Sequence, residues 1–379
     1  MRDNVIRFKL RLKAAFAVVT AVAVGVMLMA SGCARGAKGG NSKYVIVTLR
    51  GPSSMGMVHM MDSLGKASHN PFDIQIVSEP MQARKMMIDG TADFAVLPTT
   101  MGAAMYAKGL GYRLVAVPVW GSLYLFGNDG GSESAATLSQ RNDGGSASSV
   151  SSGDRHSGKP QANAARGWIG SISDLRGRRI YVMAKGMTPD LLLRYLLKQN
   201  GIDPDKDVTL DYSFPTHIDL ANAVAAGLAE IGVVSEPYVS MVVQKNPKVR
   251  AIIDLSAEWN KVQGVPIAET ALLGRDSVMK ENPKMVEKLI AMYKSSSRWV
   301  NANPDSAARL IVKYGILQDT AAARLAIPRS NLRVEAAESI EQSVNDYLKV
   351  FYDMNPEAVG GKMPDKDFFY YSDETTLNR

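Results

Sequence analysis

The sequence predicts an α/β protein of two lobes with a ligand cleft between them, and three observations predict it. Apolar runs of strand length alternate with helix-patterned segments over residues 44–98 and again over residues 179–237, the order expected of parallel β/α units. Turns after the strands recur at nearly one offset. Arg50-Gly51 matches Lys185-Gly186 at 135 residues, and Gly90-Thr91-Ala92-Asp93 matches Gly227-Leu228-Ala229-Glu230 at 137, which indicates a duplicated architecture. The 379 residues are also enough for two lobes with a core each, even after roughly 30 are set aside at the start.

That start is a separate element. Arg2, Arg7, Lys9, Arg11 and Lys13 precede an uncharged apolar run over residues 14–30, and Ala30-Ser31-Gly32 puts three small residues before Cys33, the only cysteine in the chain. Residues 1–32 therefore read as a signal peptide. The junction resembles the lipobox of bacterial lipoprotein signal peptides, with Ala30 where that pattern more often has Leu. The resemblance implies that Cys33 is lipidated, palmitate included, and becomes the first mature residue, with residues 33–43 as a flexible tether. An uncleaved anchor or an ordinary secretory signal are the alternatives for the same residues. One thiol also leaves no intrachain disulfide, so stability rests on packing, and the 20 Met residues belong mainly to that packing.

The formal charge of +7 includes a net +4 from the five basic residues and Asp3 of the signal segment, which leaves +3. No basic stripe interleaves with aromatics, so nucleic acid is excluded as a partner.

Tyr44-Val45-Ile46-Val47-Thr48-Leu49 reads as a buried strand, residues 51–54 as a Gly-Pro-Ser-Ser turn, and residues 55–64 as an apolar-rich segment. Residues 72–77 form the next strand, 80–89 a helix stopped by Gly90, and 93–97 a short strand ended by Pro98. In the run from Val117 to Leu125, Pro118 removes a ladder donor, so the run suits an edge strand or a crossing between lobes. Residues 128–167 are dominated by Gly, Ser, Asn and Ala, with four basic residues balancing four acidic ones. They read as a disordered, low-complexity insertion on a surface loop. The second half repeats the order, with strands over 179–183, 208–212 and 230–234 and helices over 190–199 and 218–226. Pro283 and Pro304 then open two amphipathic helices, and residues 335–351 make a third, all expected to pack on one lobe.

In open parallel sheets, ligands sit beyond the carboxyl ends of strands, against the amides of the following helices. The candidates there are Ser53, Ser54, Met55, Pro98, Thr99 and Thr100 in the first half, with Lys185, Gly186, Met187, Thr188, Ser235 and Glu236 as their mates in the second. Each hydroxyl has a second reading as an ordinary helix cap, Glu236 as a dipole partner of the next helix, and Lys185 as a solvated turn residue. Trp120 and Tyr124 either wall the pocket or fill a core, and residues 214–216 offer a further lip.

Residues 49–57, 90–99 and 117–124, in that order, are similar to the substrate-binding proteins of ABC importers, in the branch with nitrate, sulfonate, taurine and thiamine-precursor binders. The resemblance spans residues 43–273 apart from the insertion. It implies a type II periplasmic-binding-protein fold with two crossovers that closes on its ligand by hinge motion. Lobe one would be residues 44–119 and 274–379, lobe two residues 168–268, and the crossovers 120–127 and 269–273. The implied partners are a small polar or anionic ligand (nitrate, a sulfonate such as taurine, or a pyrimidine), an ABC permease subunit, and a membrane through the lipid anchor; the protein would act as a monomer.

No catalytic role is expected. His59, His69, His156 and His217 show no ligand spacing, no phosphate-binding or dinucleotide glycine motif occurs, and Ser63-x-x-Lys66 and Ser277-x-x-Lys280 lack a supporting context. Neither cofactor nor metal is expected. An enzyme of cofactor biosynthesis on the same fold and a ligand-sensing lipoprotein without a transporter are the rival classes.

Overall fold

The computed structural model describes residues 43–128 and 168–372. The signal segment, Cys33, the rest of the tether through residue 42, and residues 129–167 of the insertion lie outside the described residues.

Lobe one is built on β1 (Tyr44–Leu49), α1 (Pro52–Lys66), β2 (Phe72–Val77), α2 (Pro80–Ile88), β3 (Phe94–Pro98), α3 (Thr99–Ala107) and β4 (Tyr112–Val119). Lobe two contains β5 (Leu123–Gly127), β6 (Arg179–Val182), α4 (Thr188–Gln199), β7 (Thr209–Asp211), α5 (His217–Ala225), β8 (Ile231–Ser235), α6 (Tyr238–Lys245), β9 (Arg250–Asp254) and α7 (Leu255–Gln263). The chain returns through β10 (Thr270–Arg275), α8 (Asp276–Glu281), α9 (Pro283–Ala302), α10 (Pro304–Lys313), α11 (Thr320–Arg329), β11 (Leu332–Ala336) and α12 (Ala337–Met354). The six-stranded sheet runs β11-β4-β10-β3-β1-β2 and the five-stranded sheet β7-β6-β8-β5-β9. β1 pairs in parallel with β2 and β3, as β6 does with β7 and β8. The duplication read from the turns is therefore carried by β2-β1-β3 and β7-β6-β8. Ile46, Val47 and Phe94 of the first triplet, and Ile180 and Val233 of the second, are fully buried, because helices cover both faces of a parallel sheet.

The crossings are shorter than expected. Within residues 120–127, Leu123–Gly127 form β5, antiparallel to both β8 and β9. Within 269–273, the segment from Thr270 onward is β10, antiparallel to β3 and β4. Each lobe thus receives one strand from the other, because backbone groups arriving in a buried place need ladder partners. Pro118 lies neither at an edge nor in a crossing. β4 is flanked by β10 and β11, and the register shifts on both sides, between Thr270 and Leu272 and between Leu332 and Glu335. These irregularities accommodate a residue with no donor.

The segment expected as a turn over Pro52, Ser53 and Ser54 is the first turn of α1, since Pro at the first helical position has a φ preset for the helix and no N–H to waste. α9 holds α1 in place. The Ser296 hydroxyl donates to the Gly56 carbonyl at 2.7 Å and accepts from Met60 N–H at 3.0 Å, and the Tyr293 hydroxyl donates to the Ser53 carbonyl at 2.7 Å. A Cβ at Gly56 would stand 3.2 Å from the Tyr293 ring, so the close approach uses the absence of a side chain.

The C-terminal helices do not all pack on one lobe. α9 covers lobe one, but α12 also reaches lobe two, where Tyr347 and Phe351 meet the Trp259 ring of α7 at centroid distances of 5.6 and 6.3 Å. Among the described residues no helix is long and apolar enough to cross a membrane.

Candidate functional site

The strand-to-helix loops of both lobes converge on one cavity of about 330 Å³. Lobe one contributes Arg50, Gly51 and Ser53 after β1, Glu79 and Met81 after β2, and Pro98 and Met101 after β3. Lobe two contributes Met183, Met187 and Thr188 after β6, Pro215, Thr216 and His217 after β7, and Ser235, Glu236 and Tyr238 after β8, while Leu123, Glu269 and Thr270 come from the crossings. This is the place where free helix amides and strand ends meet. Gly51 has φ +155° and approaches the partner lobe closely, for a Cβ there would stand 3.9 Å from the Glu236 carbonyl and from Pro237. The conformation favours glycine.

Of the residues expected from the sequence, Ser53, Pro98, Met187, Thr188, Ser235 and Glu236 line this cavity. Thr100 does not, but its hydroxyl lies 3.1 Å from that of Thr188, a hydrogen bond that joins α3 of lobe one to α4 of lobe two. The others go elsewhere. Ser54 caps its own turn, its hydroxyl donating to the Gly51 carbonyl at 3.0 Å and accepting from Gly51 N–H at 3.1 Å. Met55 is fully buried in a cluster with Val58, Val119 and Val300. Thr99 is fully buried with an unpartnered hydroxyl. Lys185 is exposed, with its ammonium 5.5 Å from the Tyr212 ring centroid. Gly186 N–H donates to the Asp190 carboxylate at 2.7 Å. Trp120 donates through its indole N–H to the Arg333 carbonyl at 2.7 Å, and it lines a different cavity, of about 760 Å³, together with Asp254, Asn331 and Arg333. Tyr124 donates to the Arg329 carbonyl at 3.1 Å. A sequence pattern marks the end of a strand, but which side chain of the following turn faces the cleft depends on how the helix is rolled.

Two carboxylates occupy the floor near the crossings. Glu236 is fully buried and accepts from Ser240 N–H at 3.1 Å and the Ser240 hydroxyl at 2.9 Å, with the Arg329 guanidinium 3.9 Å away. Burial pushes its pKa up to about 7 against the opposing pull of those bonds and of Arg329. Glu269 is half-buried and accepts from the Ser122 hydroxyl at 2.7 Å and from Ser122 N–H. Burial raises it as well to about 7, and Asp254 adds repulsion. Because Ser122 lies in one crossing and Glu269 in the other, this contact ties the two together. His217 accepts at Nδ1 from Ser235 N–H at 3.3 Å and stacks on Tyr238 at 5.6 Å. Burial lowers it to about 4, so it is neutral near pH 7. Glu269, His217, Tyr238 and the cavity methionines other than Met187 were not singled out from the sequence. Glu269 had a visible signal, since it is a lone acid inside the apolar run Ile267-Ala268-Glu269-Thr270-Ala271-Leu272. The methionines had none.

Two α/β lobes of like topology, joined by crossing strands and facing each other across a small cavity, define the substrate-binding class of protein. The chain belongs to the family described as ABC transporter, phosphonate, periplasmic substrate-binding protein, whose family model matches residues 53–291. Among solved structures, an ABC transporter protein from Parabacteroides distasonis has a TM-score of 0.67 at 22% identity, covering 87% of this chain and 99% of its own. The periplasmic aliphatic sulphonate binding protein SsuA from Escherichia coli has a TM-score of 0.62 at 13% identity, with 87% and 92% covered. At these identities the likeness is one of fold. A binding protein of Brucella abortus is 23% identical over 183 residues, 48% of this chain and 52% of the relative, so the chain spans about half the length of the curated relatives it matches. The family is one of binding proteins rather than enzymes, although the desulfurization enzyme DSZB shares the fold, with a TM-score of 0.55 at 12% identity over 89% of this chain and 99% of that one.

Proposed function

We propose that this protein is the lipid-anchored, extracytoplasmic binding component of an ABC importer, a monomer that captures a small polar molecule by lobe closure and presents it to a membrane permease. The observation that carries the reading is the cavity of about 330 Å³, walled by the strand-end loops of both lobes and bridged by the Thr100–Thr188 hydroxyl pair. That volume lies at the lower end of the range for organic ligands, roughly 300–1,000 Å³, which favours an organic molecule over a bare nitrate ion. Native mass spectrometry of protein purified without refolding, with small-angle scattering before and after ligand addition, tests the reading. A bound small molecule and compaction on its addition are expected, and an empty protein that no solute compacts would refute it.

The interlobe hydroxyl pair forms only when the lobes meet, so Thr100→Val should weaken ligand affinity about fivefold, close to 1 kcal/mol, without lowering thermal stability. Calorimetric titration measures this, and an unchanged affinity would remove the pair from the closing contacts. Cys33→Ser should release the protein from membranes while ligand affinity stays constant, checked by fractionation and calorimetry on the same preparation.

A further inference from the structure

Glu269 and Glu236 differ in one respect that bears on the ligand. Glu236 has the Arg329 guanidinium 3.9 Å away. Glu269, half-buried on the cavity wall, has only the neutral Ser122 N–H and hydroxyl on its carboxylate, and no ion-pair partner among the described residues. Its charged neighbour is another acid, Asp254. The rest of the lining does not correct the imbalance. Glu79 adds a third carboxylate, and Arg50 is the one Lys or Arg among the described lining residues. Arg50 is exposed and donates to the Gly315 carbonyl. A carboxylate drawn out of water without a counter-charge is costly, and a ligand that supplies the missing cation recovers that cost on binding. The remainder of the wall is apolar and polarizable, with the Met81, Met101, Met183 and Met187 thioethers beside Leu49 and Ile218. Flexible methionines adapt to, and contact favourably, an aromatic or branched body.

We propose that the ligand is a small organic cation, with a protonated nitrogen paired to Glu269 and an apolar or aromatic body against the methionine wall. This rests on the binding-protein reading and narrows it away from nitrate and sulfonates. The helix N-termini after β1 and β6 carry only about half a charge each, so they do not replace the missing cation at Glu269.

The test uses the full-length protein and two matched pairs of probes, 2-phenylethylamine against 2-phenylethanesulfonate and benzamidine against benzoate, by thermal shift and calorimetry. The cationic member of each pair should stabilise the protein and bind at least tenfold more tightly than its anionic counterpart. Glu269→Gln should abolish that preference, whereas Glu269→Asp, which keeps the charge, should retain most of it. Equal binding of both members, tighter binding of the anion, or a cation preference that survives Glu269→Gln would overturn the proposal. Tight anion binding accompanied by compaction would leave the binding-protein reading standing. No compaction with any probe, together with no copurifying small molecule, would count against both.

Discussion

Ligand-free protein is expected to lose stability as pH rises from about 4.5 to above 7. The groups responsible are Glu236 and Glu269, each raised from the ordinary glutamate value of 4.5 to about 7 chiefly by burial. A carboxyl whose folded pKa is raised favours the folded state while both states are protonated. That contribution is fully present below about 4.5 and disappears as pH climbs through about 7. One pKa unit is worth about 1.4 kcal/mol, so the fully buried Glu236 alone corresponds to on the order of 3 kcal/mol. Of the neighbouring groups, one opposes the trend over part of the window. At Glu236 the facing groups are Ser240, Arg329 and Tyr124, the last of which burial keeps neutral. At Glu269 they are Ser122, Asp254 and Tyr347, the last of which burial keeps neutral. His217 works the other way, because burial lowers it from 6.5 to about 4. Between those values the unfolded state holds the extra proton, so its contribution rises with pH and offsets about one of the two carboxyls, and the net fall is steepest near pH 7. Asp62 is held at about 2 by hydrogen bonds from Lys313 and Lys66 and loses its contribution only in stronger acid. Denaturant midpoints at intervals from pH 4.5 to 8 measure the effect. The double variant Glu236→Gln with Glu269→Gln should remove the fall and leave only the rise from His217 below about 6.5, and a wild-type curve that stays level or rises between about pH 6.5 and 8 would contradict the assignment. An organic cation paired with Glu269 would show the opposite trend, binding more tightly as pH rises through 7, because the carboxylate is then charged.

Trp259→Ala should cost about 3–5 kcal/mol, the range for truncating a fully buried aromatic ring. Trp259 is fully buried in α7 of lobe two, in contact with Tyr195 of α4 at 5.4 Å and with Tyr347 and Phe351 of α12 at 5.6 and 6.3 Å. Removing the indole leaves a cavity among three aromatic residues on two other helices, and such rings cannot collapse together without moving their backbones. The indole N–H has no partner, so Trp259→Phe keeps much of the packing without orphaning a hydrogen-bond group and should cost well under half as much. Chemical denaturation compares the two. Because α12 belongs by chain order to the return segment, the Ala variant should also loosen the attachment of that helix to lobe two, seen as faster amide exchange in residues 337–354. A loss below 1 kcal/mol would show that this aromatic cluster does not hold the helix.

Much of the fold was legible because parallel strands covered on both faces are uninterrupted apolar runs punctuated by Gly and Pro. The strands at Tyr44–Leu49 and Phe72–Val77 have the bounds read from the sequence, and the turn recurrence identified the matching triplets β2-β1-β3 and β7-β6-β8. The site was legible only to the level of loops. Ser53 and Ser54 are adjacent hydroxyls of one turn, yet one faces the cavity and the other bonds its own backbone. Thr99 and Thr100 are equally alike in sequence, and of the two only Thr100 reaches the other lobe.

The sequence by itself therefore determined the two lobes, the order of strands and helices in their repeated β/α units and which turns sit at those strand ends, because these follow from local hydrophobic period and from backbone conformations that only Gly and Pro supply. Tertiary structure decided the rest. It made strands of most of the two crossings, placed α12 against both lobes, and set Glu269 on the cavity wall with Ser122 hydrogen-bonded to its carboxylate. These depend on contacts between residues more than eighty positions apart, where the desolvation of a charge and the roll of a helix are fixed by what lies opposite rather than by what lies next in the chain.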